Sequence, residues 1–303
     1  MKCPLCNNKE YKELNYGGYF YKNKKMPLVK CRNCSLKYII HNLSIKEIKQ
    51  LYNEPTYFDS EYGGGADKKY IENKAELDKK AINILNLINK HKKNCELLEI
   101  GCAGGYFLNK AKKCGYKVTG IELSKEMVNF ARNIGLKVYQ GEISNLPKDI
   151  KFDIIYLGDV MEHVANTNKL ITQIKNRLNK YGLIIIELPL TYNLTFSGIF
   201  IGIFNIIKGR ISYKYFLPAQ HRTQFIEKPP YHLLMFNRRS ILELARINNL
   251  RISYLRLYDG FPKNKFKKNM YYLIKQIGYF LTSNIPQTML GDRAIIIARK
   301  IYV

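Results

Sequence analysis

Residues 97–108 have the composition of a ligand-binding turn. An apolar stretch reaches Glu99, and residues 106–108 favour the start of a helix. Between them stand small residues: Gly101, Cys102, Ala103 and Gly105. A turn of small residues lets a ligand approach the backbone closely, and the N–H groups of a following helix can bind its polar atoms. The segment therefore predicts a strand, a turn that holds a small molecule, and a helix.

A second acidic residue stands at the spacing that a nucleoside site requires. Residues 117–121 predict a strand, Glu122 ends it, and Leu123 follows. In nucleoside-binding folds an acid about 20 residues after the glycine-rich turn accepts hydrogen bonds from ribose hydroxyls. Two acids at the ends of two strands, with one small-residue turn between them, indicate a ligand that contains a nucleoside.

The spacing Glu99-x-Gly101-x-Ala103-x-Gly105 resembles the E/D-x-G-x-G-x-G turn of class I S-adenosylmethionine-dependent methyltransferases. Further segments follow in the order of that family. Residues 138–143 resemble the exit of its third strand, and residues 152–163 resemble its fourth strand and the turn after it. Ala103 replaces a glycine that is common at the middle position. We expect this alanine to disfavour a positive φ and to leave its N–H available.

The resemblance implies an α/β, Rossmann-like sheet of seven strands in the order 3-2-1-4-5-7-6, with the last strand antiparallel. Residues 182–188, 251–258 and 293–300 fit strands five, six and seven, and residues 168–179 and 239–248 fit the helices that precede strands five and six. It also implies the residues that bind S-adenosylmethionine: Glu99, Gly101, Cys102, Ala103, Gly105, Phe107, Glu122, Leu123, Glu142, Ile143, Gly158, Asp159, Val160 and His163.

Four cysteines near the N-terminus form two C-x-x-C pairs. Cys3 and Cys6 are separated by 24 residues from Cys31 and Cys34. Each pair can present two thiolates to one tetrahedral zinc ion, and four sulfur ligands leave no open position for catalysis. A disulfide pair is disfavoured because no secretion signal is recognised, and a redox motif because there are two pairs. The pattern predicts a structural zinc ribbon, a small module that metal ligation folds.

The order of the segments along the chain points to a narrower group of methyltransferases. A zinc ribbon, an aromatic-rich stretch and then the turn at Glu99 are similar to zinc-ribbon methyltransferases of bacterial surface-glycan and deoxysugar pathways. This predicts a zinc ribbon at residues 1–45, an aromatic-rich linker with a lead-in helix at 46–94, and a cofactor-binding domain at 95–303. An insertion at about 190–236 would bind the acceptor. An rRNA guanine methyltransferase family has a zinc module with a shorter, histidine-containing spacing that is not found here.

Methylation of a hydroxyl requires a group that removes its proton, and histidine titrates in the range that suits this task. His232 resembles the family's histidine before a phenylalanine and is the first candidate base; His163 is the second. The alternatives are that His163 caps or packs its turn and that His221 binds phosphate at the surface. Glu187 is a weaker candidate, because an acid at a strand end can also be solvated.

The chain of 303 residues has a net charge of +26, which indicates an anionic partner such as nucleic acid, a membrane surface or a phosphorylated substrate. A coding bias towards Lys, Asn, Ile and Tyr would explain the same charge without binding. Residues 265–281 predict a basic amphipathic helix whose apolar stripe includes Leu273 and Ile277. It would dock on the domain, with contact to anionic lipid as the alternative.

Two further segments bear on localisation. The N-terminus lacks the apolar core of a signal peptide, and the longest apolar run, residues 194–207, is too short to span a bilayer. Its part at 196–204 is interpreted as a buried cap, with an interfacial helix as the alternative. The sequence predicts a cytoplasmic protein, with peripheral contact at the inner face of the membrane left open.

Taken together, these features predict a methyltransferase that acts on oxygen of a sugar, nucleotide-sugar or glycan, including phosphorylated and lipid-linked acceptors. Its cofactors would be S-adenosylmethionine and a structural zinc ion. Methylation of tRNA or rRNA through the basic surface is the main alternative, although nucleic acid is not the partner that we expect. A non-catalytic protein that retains the cofactor site is the second alternative.

Overall fold

A computed structural model describes residues 2–52, 56–59, 74–191, 194–207, 209, 226–227, 229–260, 270–284 and 290–301. The chain divides into two compact units. The first comprises Met1–Asn42, Met161–Asn168 and Glu187–Ile297, and the second comprises Leu43–Val160, Lys169–Ile186 and Ala298–Val303. Within the described residues, no helix is both long enough and apolar enough to cross a membrane.

The strands, in chain order, are β1 (Tyr11–Tyr21), β2 (Lys24–Cys31), β3 (Lys37–Ile39), β4 (Glu96–Ile100), β5 (Lys117–Glu122), β6 (Val138–Gln140), β7 (Phe152–Gly158), β8 (Leu178–Pro189), β9 (Ile226–Glu227), β10 (Leu234–Met235), β11 (Leu250–Tyr258) and β12 (Arg293–Lys300). The helices are α1 (Ile45–Leu51), α2 (Thr56–Asp59), α3 (Lys74–Ile88), α4 (Tyr106–Lys113), α5 (Lys125–Asn133), α6 (Thr167–Arg177), α7 (Phe196–Ile207), α8 (Arg238–Ile247) and α9 (Met270–Asn284). Short 3-10 helices lie at Ile143–Asn145 and Met161–His163.

The larger sheet has seven strands in the order β11-β12-β8-β7-β4-β5-β6. When β4 is counted as the first strand of the cofactor-binding domain, this order is 6-7-5-4-1-2-3, and one strand runs antiparallel to the others. It is the predicted order read from the opposite edge. The predicted Rossmann-like fold is therefore confirmed.

In the second unit, β4 is a central strand because apolar side chains fill both of its faces. Leu97, Leu98 and Ile100 are buried, and β4 pairs in parallel with both β5 and β7. Strands buried on both faces are typically continuous apolar runs. Since Ile100 pairs with Ile121, the carboxyl ends of β4 and β5 emerge at the same edge of the sheet. The turn after β4 and the acid at the end of β5 are thereby brought together.

The first unit contains a five-stranded sheet in the order β10-β3-β2-β1-β9. A two-residue turn at Lys22 and Asn23, both with positive φ, joins β1 to β2 as an antiparallel hairpin. Positive φ at both positions matches the twist of such hairpins. Because β3 pairs with β10, the N-terminal strands share one sheet with Leu234 and Met235.

Two predicted helices have different bounds in the structure. The lead-in helix, predicted over 67–92, is α3 at Lys74–Ile88, and residues 67–73 lie outside the described residues. The helix predicted over 168–179 ends at Arg177, because β8 begins at Leu178 rather than at Gly182.

The packing of α7 and α9 differs from the prediction. Small residues form their buried faces: Ser197, Gly198 and Gly202 in α7, and Gly278 and Thr282 in α9. In contrast, Phe200 is 55% exposed and Leu273 54% exposed. The interpretation of 196–204 as a buried cap and the docking of the apolar stripe of 265–281 are wrong for these large side chains. Small residues let the two helices approach closely, and the large ones point away from that contact.

A buried carboxylate holds the start of α7. Asp259, which is fully buried, accepts hydrogen bonds from the backbone N–H groups of Phe196 and Ser197 at 3.2 and 3.1 Å. A Cβ at Gly278 would lie 2.6 Å from the Asp259 carboxylate. Glycine is therefore required at this point of α9.

Candidate functional site

The turn after β4 has the conformation that its glycines predict. The N–H groups of Gly101 and Cys102 donate to the Ile121 carbonyl at 2.8 and 3.1 Å, so the end of β5 holds the turn. Gly101 has a φ of +70°, and a Cβ there would lie 2.7 Å from Cγ2 of Val160. Gly105 has a φ of +79°, and a Cβ there would collide with Leu136. Both positions admit only glycine without rearrangement.

Ala103 contradicts the expectation from the sequence. Its φ is +44°, and its N–H donates to Oε2 of Glu122 at 2.9 Å. A left-handed conformation costs an alanine about 1–2 kcal/mol. A hydrogen bond to a charged group contributes about 1.5–3 kcal/mol, which offsets that cost. The expectation that Ala103 would disfavour a positive φ and leave its N–H available is wrong, because the Glu122 carboxylate binds this N–H.

Glu122 closes the turn from the end of β5. Its side chain is buried, and Oε1 accepts a hydrogen bond from the Ser124 N–H at 2.9 Å, while Oε2 accepts the one from Ala103. Burial raises the pKa of this carboxyl, and the backbone hydrogen bonds oppose the rise. Each carboxylate oxygen has a further lone pair. Glu122 can therefore accept hydrogen bonds from ligand hydroxyls without losing those that orient it.

Glu99 is a second buried acid at this turn. Burial raises its pKa well above the ordinary range; the charge of Lys80 opposes the rise, and that of Glu122 adds to it. Oε2 of Glu99 has no hydrogen-bond partner among the residues that the structure describes. A buried acceptor without a partner is costly, and a ligand that donates a hydrogen bond would relieve this cost.

Lys80 is a charged residue that sequence analysis did not identify. It lies on α3, and its Nζ is 2.7 Å from Oδ2 of Asp159. Asp159, a predicted cofactor-binding residue, has a positive φ of 55°, which is uncommon for an aspartate. The only signal in the sequence was that Lys80 stands in the lead-in helix, where lysines are frequent.

The other predicted cofactor residues have mixed environments. Glu142 is half exposed and pairs with Lys49 at 3.1 Å, and Ile143 is buried in a 3-10 helix. Phe107, in the first turn of α4, is buried and its ring centroid lies 4.4 Å from that of Tyr156. Phe107 thus packs in the interior, whereas Glu142 presents its carboxylate near the surface.

Cys3, Cys6, Cys31 and Cys34, which we call the thiol cluster, come together in the first unit. Their sulfur atoms all lie within 4.8 Å of one another, with Cys3 to Cys34 at 3.6 Å and Cys6 to Cys31 at 3.5 Å. Four sulfurs at 2.3 Å from a tetrahedral zinc ion would be about 3.8 Å apart. The cluster therefore fits a zinc ion.

The two C-x-x-C turns that build the thiol cluster have the same backbone geometry. The N–H of Asn7 donates to the Cys3 carbonyl at 3.0 Å, and that of Ser35 donates to the Cys31 carbonyl at 3.2 Å. Asn7 and Ser35 have similar positive φ values of 58° and 61°. Side-chain amides hold both turns from outside: Asn168 donates to the Leu5 carbonyl at 2.7 Å, and Asn237 donates to the Ser35 carbonyl at 2.6 Å.

Glu162, His163 and His232, which we call the histidine cluster, also come together in the first unit. One potential ligand atom of each residue lies within 4.8 Å of the others. The two imidazole centroids are 4.9 Å apart, and Nε2 of His163 is 3.9 Å from Oε1 of Glu162. Both candidate bases are thus neighbours. Sequence analysis did not identify Glu162, although it directly precedes His163.

Backbone groups orient the histidine cluster. Nδ1 of His163 lies 2.6 Å from the Tyr231 carbonyl, which can only accept, so Nδ1 carries the proton. The N–H of Leu233 donates to the Glu162 carbonyl at 2.9 Å. This arrangement leaves Nε2 of His163 as the nitrogen that can accept a proton or bind an ion.

Glu187, the weaker candidate base, is held in a buried ion pair. Glu187 is fully buried, pairs with Arg293 at 2.8 Å and accepts a hydrogen bond from the Tyr258 hydroxyl at 2.6 Å. It is neither solvated nor placed to remove a proton, so its interpretation as a base is wrong. His221 lies outside the described residues.

Comparison with known proteins gives one family and several distant relatives. Residues 73–254 match the family model described as a methyltransferase domain. The ubiquinone biosynthesis O-methyltransferase of Rickettsia akari is 27% identical over 121 residues, which cover 38% of this chain and 47% of that protein. The corresponding protein of Rickettsia prowazekii is 27% identical over 200 residues, which cover 61% of this chain and 73% of that one.

Among solved structures, the chain is similar to an S-adenosylmethionine-dependent methyltransferase from Clostridium acetobutylicum. The TM-score is 0.48 and the identity 16%, over 80% of this chain and 96% of that chain. The match to the first Rickettsia protein spans less than half of its length.

Proposed function

The chain belongs to the family of S-adenosylmethionine-dependent methyltransferases, and from this premise we propose that it methylates a hydroxyl of a sugar, nucleotide-sugar or glycan. The main support for binding of the methyl donor is that the Glu122 carboxylate closes the turn at 101–105. The cofactor supplies a methyl group already activated on a positively charged sulfur, so the protein mainly orients the reactants.

The residues of the second unit fit this cofactor. Glu122 would accept hydrogen bonds from the ribose hydroxyls, since both of its oxygens are held by backbone N–H groups. Glu99 offers a buried oxygen to a donor on the cofactor. Glycine at 101 and 105 lets the turn adopt positive φ and lets Val160 and Leu136 pack directly against it, which fixes the backbone that would face the cofactor.

The proposal for the acceptor has two supports. The names of the Rickettsia relatives specify O-methylation, which supports oxygen as the acceptor atom. The thiol cluster ahead of a methyltransferase domain resembles the arrangement of glycan and deoxysugar enzymes, which supports a sugar. A sugar hydroxyl keeps its proton at neutral pH, and the histidine cluster supplies the groups that would remove it.

A structural zinc ion at the thiol cluster is the second part of the proposal. Four thiolates close the coordination sphere, so this ion would hold the N-terminal turns together without taking part in methyl transfer. The matching backbone geometry of the two C-x-x-C turns supports one shared ion.

RNA methylation remains a second candidate because of the net charge of +26. Transfer of an isotope-labelled methyl group would be measured against nucleotide sugars, glycans, ubiquinone precursors and tRNA. We expect label on a sugar hydroxyl. Label on tRNA, with affinity that falls steeply with salt, would replace the proposal by RNA methylation. Label on a ubiquinone precursor alone would support the activity that the names of the Rickettsia relatives state, and no transfer at all would support a non-catalytic role.

A further inference from the structure

We infer that Glu162, His163 and His232 bind one divalent transition-metal ion, separate from any ion at the thiol cluster. Two imidazoles and one carboxylate suit zinc, cobalt, manganese or iron, and three protein ligands leave coordination positions open. The thiol cluster, by contrast, supplies four sulfurs and no open position. The chain would therefore contain one closed and one open metal site.

The distances in the histidine cluster are close to those of an occupied site. Its three potential ligand atoms lie within 4.8 Å of one another, and the pair at Glu162 Oε1 and His163 Nε2 is 3.9 Å apart. Ligands at 2.0–2.2 Å from an ion are separated by about 3–3.5 Å. The pair at 3.9 Å must approach by about 0.5–1 Å, and atoms at the 4.8 Å limit by up to about 1.3–1.8 Å, which rotations of the side chains can provide.

The surroundings resemble the outer shell that orients metal-binding histidines. A histidine ligand typically donates its second ring N–H to a carbonyl or carboxylate, which fixes the tautomer and the ring orientation. His163 does this through Nδ1 to the Tyr231 carbonyl at 2.6 Å. Tyr231 directly precedes His232, and Leu233 donates its N–H to the Glu162 carbonyl. One chain segment thus supplies a ligand and also orients the other two.

Burial gives the inference an energetic reason. Glu162 is 1% exposed and His163 9% exposed, whereas His232 is half-buried. A positive charge stabilises a buried carboxylate, and a divalent ion would add that charge to the contacts that Glu162 already makes. The open positions of the ion would remain for an oxygen ligand beside His232.

The role of the ion deepens the proposed function and rests on it. A positive charge beside a bound hydroxyl lowers its pKa, so its proton can leave to solvent near neutral pH. The two histidines would then act as ligands that hold the ion rather than as free bases. Metal binding itself does not depend on the identity of the acceptor.

The test is a cobalt titration of the full chain after the thiol cluster has been loaded with zinc and excess metal removed. Visible absorption and calorimetry would be recorded without cofactor or acceptor. We expect one equivalent of Co²⁺ to bind, with the weak bands of nitrogen and oxygen coordination and without thiolate-to-cobalt charge transfer. His232→Asn and His163→Asn should weaken this binding at least tenfold. His91→Asn, a histidine outside both clusters, is the matched control and should bind like the wild type.

Two results would overturn the inference: no saturable binding of Co²⁺ by the zinc-loaded wild type, or equal Co²⁺ binding by His232→Asn. His232 is half-buried, so His232→Asn is the variant expected to fold, and circular dichroism would check it. Glu162→Gln is a second variant that keeps the size of the buried side chain. Failure of metal binding would leave methyl transfer to a sugar intact. Failure to methylate any sugar would leave the cobalt result standing, so the two proposals fail separately.

Discussion

The thiol cluster and the histidine cluster lie in the same unit but are assembled in different ways. Two short turns with the same backbone geometry present the four cysteines, and each turn contributes both of its thiols. The histidine cluster joins a 3-10 helix at Met161–His163 to a residue almost 70 positions later, next to β10. The spacing of the cysteines in the sequence predicts the thiol cluster, whereas only the folded chain brings the residues of the histidine cluster together. An ion at the thiol cluster would have four sulfur ligands and no open position, whereas an ion at the histidine cluster would keep open positions.

Loss of the thiol cluster should have the largest effect. Metal ligation supplies about 10–16 kcal/mol to small zinc modules. We expect the double substitution Cys3→Ser and Cys31→Ser to release one zinc ion per chain and to remove hydrogen-exchange protection from β1 and β2. Metal analysis and exchange measurements would check this. Cys114→Ser, at an exposed cysteine outside the cluster, is the control. Unchanged zinc content would show that the thiol cluster does not hold the zinc ion, and the contrast with the histidine cluster would be lost.

Loss of the histidine cluster should cost activity rather than folding. We expect His232→Asn to lower the rate of methyl transfer about 100-fold, the usual scale when a group that assists proton removal is lost. The zinc content at the thiol cluster and the unfolding temperature should remain unchanged. If His232→Asn unfolds the chain as the cysteine variant does, both clusters are structural and the contrast between them disappears.

The turn after β4 offers a third case for this comparison. Its small residues are close together in the sequence, as in each cysteine turn, but Glu122 at the end of β5 closes it. We expect Glu122→Ala to weaken S-adenosylmethionine binding about 10- to 100-fold, since hydrogen bonds to a charged group contribute about 1.5–3 kcal/mol. Calorimetry would measure the affinity. Glu126→Ala, at an exposed acid of α5, is the control. Affinity equal to that of the wild type would reject Glu122 as a ribose acceptor.

The smallest effect is expected at Ala103, whose φ is +44°. Ala103→Gly should raise the free energy of unfolding by about 1–2 kcal/mol, because glycine adopts a left-handed conformation without strain. It should also lower it by about 0.4–1 kcal/mol, because glycine gives the unfolded chain more conformational freedom. The free energy of unfolding should rise by about 0.5 kcal/mol in a denaturant titration. Ala111→Gly, within α4, should lower it by about 1 kcal/mol or more. The same sign for both substitutions would exclude strain at Ala103.

The parts of the molecule that sequence analysis predicted are those with local signals. The bounds of β12 agree with an apolar segment of the sequence, and the sheet order is the one that the resemblance to class I methyltransferases implies. Ala103 was misjudged because a residue 19 positions later holds its N–H. Lys80 and Glu162 were missed because only the folded chain brings them to Asp159 and to His232. The apolar periodicity identified α9 but not the face by which it packs. That face contains Gly278, a small residue that lies close to Asp259 and Phe196.

Asn168 and Asn237 each follow one part of the histidine cluster by five residues, and each binds a carbonyl in one of the cysteine turns. Proteins open locally in cooperative units of neighbouring segments. Because the two asparagines link the cysteine turns to the segments of the histidine cluster, we expect both clusters to open together. A chelator that empties the thiol cluster should speed the exchange of amide hydrogens around Leu233 as well as around Cys31, at a common rate.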